Sequence, residues 1–233
     1  LRYYDENAFK LNETQKLILI YGIASGMSYL HSHDIIHRNL NPSCIFFDDS
    51  FLPKISGFDI VKDLSKSLPL AEPRKDSKLK GEGFYLAPEI WNKLDYGKPS
   101  DVYSFALLMY EIVTNETPSF EDEEMKTKID FDDNIPLCYK ELIERCCSED
   151  PKDRPTFSEI ESELKNNKEF ITSEVDENEF KKYIKFIENS KISFDTEKVI
   201  KEMDLILESN KLKRSEIDDT LRGPINSSSD LDI

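Results

Sequence analysis

Apolar residues recur at Leu17, Ile20, Tyr21, Ile23, Ala24, Met27 and Leu30, a spacing that lays a broad stripe along one face of a helix. Asn12 offers a side-chain acceptor ahead of the stripe and Gln15 follows three residues on, the pattern of a capping box. Gly22 and Gly26 lower helix propensity but admit a close neighbour. The helix is predicted to end near His31-Ser32-His33-Asp34, while residues Leu1 to Leu11 predict no element. Ile45-Phe46-Phe47 and Leu52-Pro53-Lys54-Ile55 read as two short strands joined by a turn at Asp48-Asp49-Ser50. From Val61 to Gly83, Lys, Ser, Pro and Glu replace any periodicity, which predicts a long exposed loop.

The second half of the chain is helical in pattern. Pro99-Ser100-Asp101 opens a segment apolar on nearly every side from Val102 to Val113, as expected of a fully buried helix that ends at Thr114 to Pro118. Residues Glu121 to Asp133 are strongly acidic with few apolar positions. Leu137 to Cys147 reads as a helix with Leu137, Leu142, Ile143, Cys146 and Cys147 facing inward. Thr156 and Glu159 form a second capping box before Phe157, Ile160 and Leu164. Beyond Asn166, Phe180, Tyr183, Ile184 and Ile187 mark one amphipathic helix, and Val199, Ile200, Met203, Leu205, Ile206 and Leu207 mark another. The Ser- and Asp-rich end, Gly223 to Ile233, is expected to be disordered.

Composition narrows the function. The 233 residues carry 47 acidic against 31 basic side chains, a net charge of -16, which argues against nucleic acid and reads first as a solvated acidic surface, with a basic protein partner as the alternative. No apolar run approaches the ~20 residues that cross a bilayer, so no membrane association is expected. Cys44, Cys138, Cys146 and Cys147 show no metal-ligand spacing and suit reduced thiols in a cytoplasmic protein.

The candidate chemistry lies at His37-Arg38-Asn39-Leu40-Asn41-Pro42-Ser43-Cys44-Ile45. This stretch resembles the catalytic loop of protein kinases, whose pattern runs His-Arg-Asp-Leu-Lys-Pro-x-Asn-Ile. Tyr29-Leu30-His31, Ala87-Pro88-Glu89, Ser100-Asp101-Val102-Tyr103-Ser104-Phe105 and Pro151-Lys152-Asp153-Arg154-Pro155-Thr156-Phe157 extend the resemblance, closest to tyrosine-kinase-like kinases of protists. It implies a mainly α fold, the kinase C-lobe with a short β-hairpin, over residues 1–167. An acidic helical tail over 168–222 and a disordered end over 223–233 would follow it. It also implies structural roles for His37, Arg38, Phe58, Glu89, Asp101 and Arg154.

The same resemblance shows what has been exchanged. Asn39 stands at the family's base position; a neutral amide orients a hydroxyl but does not accept its proton. Asn41 stands where the family places a Lys beside the transferred phosphoryl group. Cys44 and Gly57 stand at the magnesium positions, and sulfur is a poor ligand for that hard ion. Asp59, two residues beyond Gly57, is the one carboxylate left in this segment. Gly81-Glu82-Gly83-Phe84-Tyr85 departs from the family's Gly-Thr-Pro-x-Tyr. The given residues before His37 hold no glycine-rich phosphate loop and no strand lysine, so the expectation is a C-lobe without its N-lobe. Ser65, Ser67 and Ser77 are candidate phosphosites, with Arg38 as the partner of an added phosphate. The resulting expectation is a pseudokinase-like scaffold that binds proteins, with no need for the family's ATP and magnesium and no small-molecule substrate. Two alternatives stay open: the C-terminal part of an active Ser/Thr kinase, or a remnant without function.

Overall fold

A computed structural model describes residues 11–48, 52–58, 62–63, 85–93, 96–121 and 126–193, all within the unit Leu1–Ser193. The helices are α1 (Glu13–Ser32), α2 (Pro88–Lys93), α3 (Lys98–Thr114), α4 (Leu137–Cys146), α5 (Phe157–Asn166) and α6 (Glu177–Ser193). Three antiparallel ribbons complete the fold. β1 (Ile35–Ile36) pairs with β4 (Lys62–Asp63), β2 (Ile45–Phe47) with β3 (Pro53–Ile55), and β5 (Ser119–Glu121) with β6 (Lys126–Lys128).

The architecture is mainly helical, as the pattern predicts. Asn12 accepts the Gln15 N–H at 2.8 Å, and Gln15 accepts the Asn12 N–H at 3.0 Å, so α1 begins on the expected capping box. Thr156 and Glu159 start α5 in the same way. Every residue of α3 from Ser100 to Tyr110 is buried, and Asn115 closes the helix in the left-handed region at φ 62°. Around α3 pack α1 and α4, and α5 lies along α1. Among the described residues no helix is long and apolar enough to cross a membrane.

Some expectations are corrected. Leu137 is 66% exposed. Helical geometry turns each residue by about 100°, so Leu137 sits on the far side of the stripe formed by Cys138, Tyr139, Leu142, Ile143 and Cys146. Cys147, the C-cap of α4, does face inward as expected, partly buried against the core cluster of Tyr85, Ile90, Tyr103 and Leu107, with its N–H reaching Ile143 O at 2.9 Å. Strands β4, β5 and β6 lie where no strand is predicted; their residues are mostly polar and carry no apolar signal, and backbone pairing makes them. The candidates Asp59, Ser65, Ser67 and Ser77, the segments 199–207 and 223–233, and Glu82 lie outside the described residues.

The sequence division at residue 167 falls inside the body of the fold. A 3-10 turn, Lys168–Phe170, sets Phe170 edge-on to Tyr139 at 5.0 Å. Helix α6 then packs on α1, where Tyr21 meets Phe180 at 5.5 Å and Tyr183 at 6.2 Å. The two glycines of α1 make room for its neighbours. A Cβ at Gly22 would strike the Tyr183 hydroxyl and lie 2.6 Å from Pro53 Cγ, and one at Gly26 would lie 2.8 Å from Ile55 Cδ1. Gly22→Ala therefore sets a helix-propensity gain of up to about 1 kcal/mol against overpacking of about 1–3 kcal/mol. We expect a net loss of stability, read as a lower urea midpoint; a raised midpoint would mean that α6 and the hairpin do not close on Gly22.

Candidate functional site

The loop between β1 and β2 is shaped from outside itself. Asp101, 1% exposed near the start of α3, accepts the backbone N–H groups of His37 and Arg38, each at 2.8 Å. His31, at the end of α1, places Nε2 2.9 Å from the same carboxylate. Arg38 takes φ 69°, a conformation that costs a non-glycine residue about 1–3 kcal/mol unless its surroundings impose it. The two hydrogen bonds that Asp101 accepts impose it.

Within the loop, His37 and Phe58 meet edge to face at 5.3 Å. The Asn39 N–H points at His37 Nδ1 at 3.3 Å, so that nitrogen is the acceptor and Nε2 carries the proton donated to Ser56 O at 2.8 Å. Asn41, 3% exposed, accepts the Ser43 N–H at 2.8 Å and starts the 3-10 turn Pro42–Cys44. Its amide donates to the backbone and side-chain oxygens of Asn39 at 3.0 and 3.1 Å. The position that the resemblance assigns to a phosphate-side cation therefore holds a local turn cap.

Cys44 and Gly57 fill each other's space. The Cys44 thiol donates to Asn39 O at 3.0 Å, and the Asn39 amide approaches the sulfur at 3.8 Å. Gly57 has φ 85°, and a Cβ there would lie 2.6 Å from Cys44 Sγ. Magnesium does not fit the side chains at these two positions: Gly57 brings no side-chain ligand, and the sulfur is soft and turned to a carbonyl. Among the described residues no group of three or more His, Cys, Asp or Glu is placed to hold a metal ion.

Arg38 is 5% exposed and lies over the Tyr96 ring, its guanidinium carbon 4.4 Å from the centroid. Burial lowers its pKa, opposed by the charges of Tyr96 and Asp101. Tyr96 belongs to no motif in the sequence, whereas His31 falls within the Tyr29-Leu30-His31 segment.

Glu89 and Arg154 form a bidentate pair, Nη1 to Oε1 at 2.8 Å and Nη2 to Oε2 at 2.9 Å. Ser100 Oγ donates to the same Glu89 oxygen at 2.9 Å, and Arg154 also donates to Ser148 O and Pro99 O. The Arg154 guanidinium lies over Tyr103 at 5.0 Å. The pair joins α2 to the turn before α5 and to the start of α3.

Residues 1–164 match the family of protein tyrosine and serine/threonine kinases. The chain belongs to the protein kinase family. A "probable serine/threonine-protein kinase" of Dictyostelium discoideum is 33% identical over 168 residues, covering 68% of this chain and 12% of that protein. A dual specificity protein kinase of the same organism is 31% identical over 171 residues, covering 68% of this chain and 12% of that protein. Serine/threonine-protein kinase 12 of Arabidopsis thaliana is 35% identical over 158 residues, covering 62% of this chain and 34% of that protein. The chain thus spans a minor part of the length of these kinases.

Two outcomes test this geometry. Burial raises the Glu89 pKa, but the hydrogen bonds and charge of Arg154 and the Ser100 bond outweigh it, leaving it below the ordinary value of 4.5. The stability it adds is complete above that value and is lost as pH falls through the lowered one. Arg154→Ala should cost about 3–5 kcal/mol at neutral pH and flatten this acid dependence in denaturant titrations. Gly57→Ala should destabilise by about 1–3 kcal/mol through φ and the sulfur contact. Cys44→Ala should recover part of that loss, read as non-additivity in a double-mutant cycle; strict additivity would show the two sites to be independent.

Proposed function

We propose that the chain is a pseudokinase-like module of the tyrosine-kinase-like branch that binds other proteins and does not transfer phosphate. The observation that carries this reading is the contact between Cys44 and the space over Gly57, where the family holds its magnesium. Kinase chemistry is positioning plus electrostatics, so the exchanged residues bear directly on the rate. Asn39 orients a hydroxyl without taking its proton, and Asn41 spends its side chain on the turn. Each ~1.4 kcal/mol of lost transition-state stabilisation is tenfold in rate, and several such contributions are missing together. The preserved Asp101 and Glu89–Arg154 contacts support a folded, retained module over a remnant.

The names of the relatives favour one second reading, in which this chain is part of an active serine/threonine kinase. Phosphoryl transfer from labelled ATP to a generic protein substrate separates the two. We expect no magnesium-dependent transfer from the chain, from Asn39→Asp, or from any longer product of the same gene. Transfer that Asp59→Ala abolishes would overturn the proposal and give Asp59 the family's metal role.

A further inference from the structure

Helix α6 carries its own cap and rests on a narrow stripe. The Asp176 carboxylate accepts the N–H groups of Asn178 and Glu179 at 2.9 and 3.1 Å, which starts the helix from within. Phe180, Tyr183 and Ile184, spaced i, i+3 and i+4, are buried, and the first two meet Tyr21 of α1. Its polar ties to the body are peripheral. The Asp176 N–H donates to Thr14 Oγ1 at 2.8 Å, and the Lys165–Glu188 pair lies at the surface, where an ion pair adds little. A capped helix with one anchoring stripe is laid in a groove, whereas α3 is enclosed by core.

The groove is shared with the β2–β3 hairpin. A two-stranded ribbon is marginal by itself and needs a neighbour to pack on. Strand alternation turns Pro53 and Ile55 toward α1, over Gly22 and Gly26. It leaves Phe46 and Lys54 on the outer face, where both side chains are exposed. The Tyr183 hydroxyl and Pro53 Cγ meet over Gly22, in the space that a single Cβ would take. Burial, then Tyr21, then the charge of Asp48 just beyond β2 raise the Tyr183 pKa, in keeping with a ring that borders the hairpin.

Strand β3 leads directly into the loop site. Ser56 donates its N–H to Cys44 O at 2.8 Å and its hydroxyl to the same oxygen at 3.2 Å. Its carbonyl accepts from His37 Nε2 at 2.8 Å, and the next residue, Gly57, is the one matched to Cys44 Sγ. A shift of β3 away from α1 would therefore open the Cys44–Gly57 contact, and Tyr183 is the part of α6 that stands against that shift.

We propose that α6 is a strap: it clamps the hairpin on α1, and its local release loosens the loop at Cys44 while α3, α4 and α5 stay folded. The inference stands on packing alone and holds whether or not the chain transfers phosphate.

The test is thiol labelling of the full chain, with each cysteine followed by mass spectrometry. Cys44 and Cys146 are 4% and 0% exposed, so each is labelled only when its surroundings open. Tyr183→Ala should speed labelling of Cys44 about tenfold, and that of Cys146 on α4 less than about twofold. Phe180→Ala, which weakens the seat of α6 on Tyr21, should act in the same direction. Hydrogen exchange of the unaltered chain gives a second reading: the amides of α6 and of Ser56 should exchange together, and faster than those of α3. Acceleration at Cys146 equal to that at Cys44 would make α6 an inseparable part of the core. An unchanged Cys44, or a Ser56 amide as slow as those of α3, would show the hairpin to be seated without α6. Each of these three results overturns the strap.

Discussion

The carboxylate of Asp101 is the interaction on which the rest of the structure depends. A fully buried carboxylate is tolerated only when donors surround it. Here they are two successive backbone N–H groups and a histidine ring, from separate parts of the chain. One side chain near the start of the buried helix α3 therefore fixes the end of α1 and the backbone of the loop that follows. It also holds Arg38 in the left-handed region, which gives the loop its turn.

Because the loop is held from outside, its own side chains are free to change without loss of shape. Asn41 caps a 3-10 turn, the Cys44 thiol bonds the Asn39 carbonyl, and Gly57 leaves the room that the sulfur occupies. Asn39, Asn41 and Cys44 bond one another or the local backbone. A loop with unmatched polar groups at these places would be destabilised; this one closes on itself. The second anchor, Glu89 with Arg154, works in the same manner, with the guanidinium shared between a carboxylate, two carbonyls and an aromatic face.

The 20 residues of α1 span about 30 Å, and the two ends of this helix carry different chemistry. The loop lies beyond its C-terminal end. At its first turn, Lys16 reaches across to the last carbonyls of α3 and borders an acidic cavity. Between the ends, Gly22 and Gly26 admit the β2–β3 hairpin and α6, so the segment read from sequence as a tail packs as part of the body.

The sequence by itself determined the elements and the family. Helix periods, two capping boxes and the order of several motifs are local signals, each confined to a few neighbouring residues, and they named α1, α3, α5, the hairpin and the exchanged positions. What the tertiary structure decided were matters of distance between residues remote in sequence. Leu137 faces outward because its neighbours' stripe was claimed by the core, and β4 exists because β1 lies beside it. Cys44 and Gly57 could be listed as two losses from the sequence; their mutual fit depends on a sulfur and a missing Cβ thirteen positions apart in the chain meeting in space. The cavity beside Tyr139 has no motif at all, since four separate segments build it.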